Sequence, residues 1–326
     1  MIAAIWSAKT GSYNMSASQI ISALFGNASD QTLQHVLWEI RLPRTAAALI
    51  AGSGLAIAGA VMQSVLRNPL ASPFTLGISQ GAAFGAAFAI VILGAGTAHI
   101  AGSEAVTVYA PYILVISAFC GSLVTVGLIL FISGLRRMTP EAVILTGVAL
   151  SSFFGAATML IQYFATDMQL AATVFWTFGD VGKAGWRENL FMLSGLVIAF
   201  AYFIYHSWSY NSLEWGDETA ESLGVHVRLM RIATVVIASL SVSIITAFLG
   251  IIGFIGLIAP HIMRPIVGND YRFLIPSSAF LGSLLLLVSD ILSRTVMAPV
   301  VLPVGIITSF AGVPVFLFIL MKGRRG

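Results

Sequence analysis

Long apolar runs separated by short polar segments dominate this chain. Uncharged stretches occupy about 45–66, 74–95, 109–133, 142–162, 189–205, 232–252, 273–289 and 300–321, with a shorter one at 253–263. A helix rises about 1.5 Å per residue, so roughly 20 apolar residues cross the ~30 Å hydrocarbon layer. Lipid offers the backbone no hydrogen-bond partners, so a crossing segment of this length must be helical. The pattern therefore predicts an all-α, polytopic membrane helical bundle of about nine transmembrane helices, one of them short. No linker or low-complexity tract divides it, and residues 1–326 read as a single transmembrane domain. Its longest polar stretch, Ser207 to Arg231, marks a surface loop.

Within this frame, small residues mark contact faces. Thr45 to Leu66 carries Gly52, Gly54, Ala56, Ala58, Gly59 and Ala60, which let another backbone come close where no hydrophobic drive exists between helices. Asn68 and Pro69 end that helix. Gly77, Gly81 and Gly85 recur every four residues and predict a helix-packing face. Gln63 and Ser64 are polar groups that hydrocarbon penalises; an interhelical hydrogen bond and a place on a water-filled path both satisfy them. Thr139 is placed to cap a helix beginning at Pro140, with Glu141 complementing the dipole in the first turn.

Composition narrows the class. The chain is 58% hydrophobic and 9% charged, well below the quarter or so that is charged in soluble domains. The basic excess is small and spread over loops, which excludes a nucleic-acid surface. Alternating the spans puts Arg67, Arg136, Arg137, Arg228, Arg231, Arg264, Arg272, Lys322, Arg324 and Arg325 on one side. Lys9, Arg41, Arg44, Lys183, Arg187 and Arg294 fall on the other. The richer side is cytoplasmic by the positive-inside rule, so the C-terminus is inside and the N-terminus as given outside. Arg41, Arg44 and Arg294, at the outer ends of spans, run against that bias. The lone Cys120 lies in an apolar span and forms no intrachain disulfide.

The sequence carries no energy source of its own. It has no G-x-x-x-x-G-K-[ST] phosphate loop, and the nearest fragment, Gly179-x-x-Gly182-Lys183, falls on the outer side. There is no string of intramembrane carboxylates for a proton relay. Asp290, four residues before Arg294, is placed for a local ion pair.

Several motifs together carry a family resemblance over nearly the whole chain. They are Arg41 to Gly85 (RLPRTAAALIAGSGLAIAGAVMQSVLRNPLASPFTLGISQGAAFG), the W-x-x-G at Trp176–Gly179 followed by Trp186, the run Gly216-Asp217-Glu218-Thr219-Ala220-Glu221-Ser222-Leu223-Gly224, and Gly253-Phe254-Ile255-Gly256-Leu257 with Pro260-His261-x-x-Arg264. The chain resembles the BtuC/FecCD-type permeases of ATP-binding-cassette (ABC) importers for iron-siderophores, haem and vitamin B12. The resemblance implies a non-enzymatic, cofactor-free permease of the inner (plasma) membrane. It would move a metal chelate, first a ferric siderophore, and otherwise haem, cobalamin or another chelate; an ATPase-independent channel or secondary carrier is the reading from a different class. It implies three partners: cytoplasmic ATPase subunits, a soluble substrate-binding protein, and a second permease copy, homologous or identical.

The resemblance also assigns residues. Gly216, Asp217, Glu218, Ala220, Glu221, Leu223 and Gly224 fall in the segment expected to form two short helices docking on the ATPase. Thr139, Pro140, Glu141 and Gln63 fall at the inner gate or path, and Arg41, Arg44 and Arg294 at positions that receive glutamates of the binding protein. Leu302-Pro303-Val304-Gly305 matches the family's E-L-P-[VI]-G, but with Val301 where the family has Glu. Family members carry ten helices, one lying before a segment like Gly11-Ser12-x-x-Met15-Ser16; the chain as given is expected to lack that first helix.

Overall fold

A computed structural model describes residues 22–23, 31–95 and 111–322, and every regular element among them is helical. Lys9, the Gly11–Ser16 segment, Arg324 and Arg325 lie outside the described residues. We number the elements α1 (Gln31–Val65), α2 (Ile78–Val91), α3 (Pro111–Gly134), α4 (Pro140–Tyr163), α5 (Asp167–Thr177), α6 (Trp186–Tyr205), α7 (Ser207–Leu213), α8 (Asp217–Ser222), α9 (Val227–Leu249), α10 (Ile255–Val267), α11 (Tyr271–Thr295) and α12 (Val304–Lys322). Among these, α1, α3, α4, α6, α9 and α11 are long and apolar enough to cross a membrane, and α2, α10 and α12 supply shorter apolar helices.

The helix α1 is the axis of the bundle. It packs against α11, α9, α10 and α6, and its small residues are the reason. A Cβ added at Gly52 would stand 2.3 Å from the carbonyl oxygen of Gly282 on α11, and one at Gly59 only 1.8 Å from that of Gly256 on α10. The backbones touch there, which is how apolar helices gain contact without a hydrophobic drive. A π-helical turn over Val36–Arg41 precedes the regular part of α1.

A second group forms around α2, packed on α3, α4 and α5. The glycine ladder divides its work. Gly81 and Gly85 face α3, where an added Cβ would meet Gly121 O at 2.6 Å and Ser117 O at 2.0 Å. Gly77 instead sits at the N-terminus of α2 with φ +79°, facing Gly147 and Ser151 of α4. The helix starts four residues later than the apolar run because Ser72 and Thr75 close a turn on each other, Ser72 N donating to Thr75 Oγ1 at 2.9 Å and Thr75 N to Ser72 Oγ at 3.2 Å.

Candidate functional site at the two membrane faces

The inner face is organised around the segment between α6 and α9. The short helix α7 is held to the bundle by Tyr210, fully buried, whose hydroxyl meets Thr234 Oγ1 of α9 at 2.9 Å. Burial pushes the Tyr210 phenol well above its ordinary range, so it stays a neutral hydrogen-bonding group. Ser64 Oγ donates to Tyr210 O, and Asn211 bridges to α11, donating to Asp270 Oδ1 at 2.9 Å and accepting from Tyr271 N at 2.8 Å. Gly216, at φ +108°, makes the bend that no side-chain-bearing residue adopts without strain, and α8 follows. Gly224, at φ +86°, turns the chain into α9. Of the residues assigned here, Ala220 is buried as the anchor of α8, while Glu218, Glu221 and Leu223 face outward, with Trp215 beside them.

Two arginines stand behind this hairpin. Arg264 of the Pro260-His261-x-x-Arg264 motif donates to Gln63 Oε1 and to Tyr271 Oη, both at 3.1 Å, and pairs with Glu214 at 3.5 Å. Arg231 of α9 is 3% exposed. Its guanidinium donates to Val65 O at 2.8 Å, to Met138 O at 2.9 Å and to the Asp217 carboxylate at 3.1 Å. Gln63 is thus engaged in an interhelical hydrogen bond and 3% exposed; its assignment to an open path does not describe this conformation, because Arg264 holds its amide oxygen. Thr139 caps α4 by accepting from Ala142 N at 3.3 Å, Pro140 follows, and Glu141 lies exposed in the first turn. The turn before them is strained: Arg137 and Met138 both have positive φ, 58° and 57°.

The outer face collects the three unexpected arginines, but not as free rim charges. Asp290 is fully buried and receives Arg44 Nε on one oxygen and Arg294 Nη2 on the other, each at 2.8 Å. Arg44 also pairs with Asp180 at 3.1 Å, and Asp180 in turn accepts from Gly182 N. The side chains of Arg44 and Arg294 are 14% and 8% exposed, and Arg41 is 5% exposed. Expecting exposed docking charges therefore needs correction: a desolvated guanidinium is stable only beside a carboxylate, and Asp290 and Asp180 supply it. The local Asp290–Arg294 pair was legible from spacing; Arg44 as the second partner was not.

Close by, three chain segments meet through backbone alone. Asp180 N donates to Leu249 O at 2.8 Å and Gly305 N to Gly179 O at 3.1 Å. A Cβ at Gly179 would stand 2.2 Å from Ile251 O. The W-x-x-G and L-P-V-G motifs are therefore one structural unit. Val301 sits exposed beside it.

A helical membrane bundle bearing an anchored helical hairpin on one face and a buried charge cluster at the other is the architecture of a transport permease. The sequence matches the FecCD transport family over residues 1–322, and the chain belongs to that family. It is 53% identical over 321 residues to MJ0087 of Methanocaldococcus jannaschii, described as an ABC transporter permease, covering 98% of this chain and 91% of that one. To the hemin transport permease HmuU of Yersinia pestis it is 34% identical, covering 97% and 92%. A solved structure described as an inward-facing metal-chelate type ABC transporter superposes with a TM-score of 0.85 at 30% identity, covering 98% of this chain and 96% of that one. The chain is a multi-pass protein of the inner (plasma) membrane, of a family of ABC permease subunits.

Proposed function

We propose that this permease imports a ferric siderophore into the cytoplasm, driven by ATPase subunits docked on α7 and α8. The observation that carries the ATPase reading is the hairpin itself: two short helices fixed from behind by Tyr210, Asn211 and two arginines, with Trp215, Glu218, Glu221 and Leu223 left facing the cytoplasm. A solvated loop has no need of such anchorage. The gate lies at Thr139, Pro140 and Glu141, whose turn abuts the same anchors. A soluble binding protein delivers the substrate at the outer face, its carboxylates drawn to the side of the bundle where Arg41, Arg44 and Arg294 gather. A path for a bulky chelate needs walls from two bundles, so two permeases, identical or homologous, enclose it.

The metal-chelate transporter that superposes on this chain supports a chelated-metal cargo, and the hemin permease among its relatives makes haem the second reading. The test is ATP-dependent uptake into vesicles holding the permease, its ATPase and its binding protein, offered iron-labelled ferrichrome, hemin or cobalamin. Uptake of ferrichrome is expected. Uptake of hemin or cobalamin alone overturns the siderophore, and uptake without ATP overturns the ATPase-driven reading in favour of a channel or carrier.

A further inference from the structure

We propose that Arg231 is the positioning residue that carries movement of the docking hairpin to the gate helix α4. This rests on the ATPase-docking reading above and names the link that reading leaves unspecified.

Three parts of the fold converge on this one guanidinium. Its Nη2 holds Asp217, the first residue of α8; its Nη1 holds Met138 O, one residue before the Thr139 cap of α4; its Nε holds Val65 O, the last residue of α1. These partners lie 14, 93 and 166 positions away in sequence, so nothing local joins them. The chain beside two of the partners is strained. Met138 and Arg137 both hold left-handed φ, and Arg67, two residues beyond Val65, has φ +44°. Non-glycine residues persist there only when their surroundings over-determine them, and at Met138 the bond to Arg231 does so.

Burial turns this convergence into a linkage. Arg231 is 3% exposed and Asp217 reaches it from the water side, its side chain 37% exposed, so Asp217 is the link between the moving helix and the buried guanidinium. Asp217 is the carboxylate that Arg231 holds among the described residues, and a mostly buried cation parted from its carboxylate is destabilised, so the guanidinium is drawn along when α8 moves. When the guanidinium moves, the carbonyls of Met138 and Val65 lose their donors or move with it, and the strained turn before α4 is the segment with another conformation available. The planar fork matters here. A lysine in the same place offers a compact point charge that cannot hold three acceptors in fixed directions.

The test uses the assembled permease and ATPase complex in vesicles, in a Cys120→Ser background, with spin labels at Arg136→Cys on the gate turn and His226→Cys ahead of α9. Both positions are exposed. The distance between them is measured without nucleotide and after trapping with ATP and vanadate. The parent should show a nucleotide-dependent shift, and Arg231→Lys should reduce it to less than half in complexes that still co-purify. Should Arg231→Lys fail to assemble, Asp217→Asn, which leaves both carbonyl bonds in place, must reduce the shift likewise. An undiminished shift in an assembled variant overturns the role of Arg231. A parent that binds its ATPase but shows no shift overturns it as well, whereas a parent that binds no ATPase overturns the docking reading first.

Discussion

Arg44 and Asp290 lie 246 positions apart in sequence and 2.8 Å apart in the fold, and the same carboxylate receives Arg294 on its other oxygen. Charge at the outer mouth is therefore shared between α1 and α11. Removing Asp290 leaves the largely buried Arg294 without this carboxylate, at a typical cost of about 3–5 kcal/mol, whereas removing Arg294 leaves Asp290 paired with Arg44 and should cost less. Asp290→Ala should lower thermal stability in detergent markedly and Arg294→Ala less so, while Asp290→Asn combined with Arg294→Met should recover much of the Asp290→Ala loss. Wild-type stability in Arg294→Ala would mean that the pair is not formed in the membrane.

If the outer arginines draw the carboxylates of a binding protein, association should depend on salt. Long-range attraction between the two proteins is screened over about 10 Å at 0.1 M salt, so the association rate should fall as salt rises. Glu substitution at Arg41 should slow association, measured on the fraction that inserts and folds correctly. A salt-independent wild-type rate, measured by stopped flow on correctly inserted protein, counts against docking at this cluster.

Reversing charge at Glu218 and Glu221 should separate folding from coupling. Both face outward on α8, and surface substitutions of this kind usually stay within about 0.5 kcal/mol. Expression and melting temperature should hold while ATPase co-purification falls several-fold. Normal co-purification and transport would remove α8 from the interface.

Two glycines make a controlled pair. Gly85→Ala drives a methyl group against Ser117 O and should cost about 1–3 kcal/mol through overpacking. Gly127→Ala, on α3 with nothing within 4 Å of its added Cβ, should be neutral or stabilise by up to about 1 kcal/mol. Equal melting temperatures for the two variants would contradict the backbone contact between α2 and α3.

Asp270 ties α7 to α11 and should give the inner face an acid limit. The Arg272 side chain, bonded to its carboxylate, holds it well below its usual value of 3.8, with Asn211 adding a smaller effect. A depressed carboxyl pKa contributes stability above the unfolded-state value, and that contribution is lost as pH falls below about 4. Asp270→Ala removes the cap on Arg272 N, at about 1 kcal/mol, and should abolish this part of the acid dependence. A wild-type-like pH profile in the variant would show that the carboxylate is not coupled to stability.

Much of this fold could be read from apolar runs, because lipid leaves the backbone no choice but helix where such a run is long enough. The glycines of α1 and α2 were legible for a similar reason: only small residues permit backbone contact. The start of α2 was not, since Ser72 and Thr75 sit in an uncharged run and reveal their turn only through mutual hydrogen bonds. In the hairpin between α6 and α9, Gly216 and Gly224 gave away the bends. What lies behind the hairpin stayed hidden. Arg231 and Arg264 count as two inside charges in a topology argument, while most of the acceptors they hold are carbonyls and neutral side chains, which no motif labels. Arg44 and Arg294 were visible as anomalies, but their partner Asp290 had been assigned only to its near neighbour.

The meeting of Gly179, Ile251 and Gly305 has a mechanical consequence. That junction is made of backbone against backbone, with no side chain long enough to flex between its three segments. Any rotation of these helices that keeps the outer junction intact takes that junction as its pivot, so the travel is greatest at the cytoplasmic hairpin.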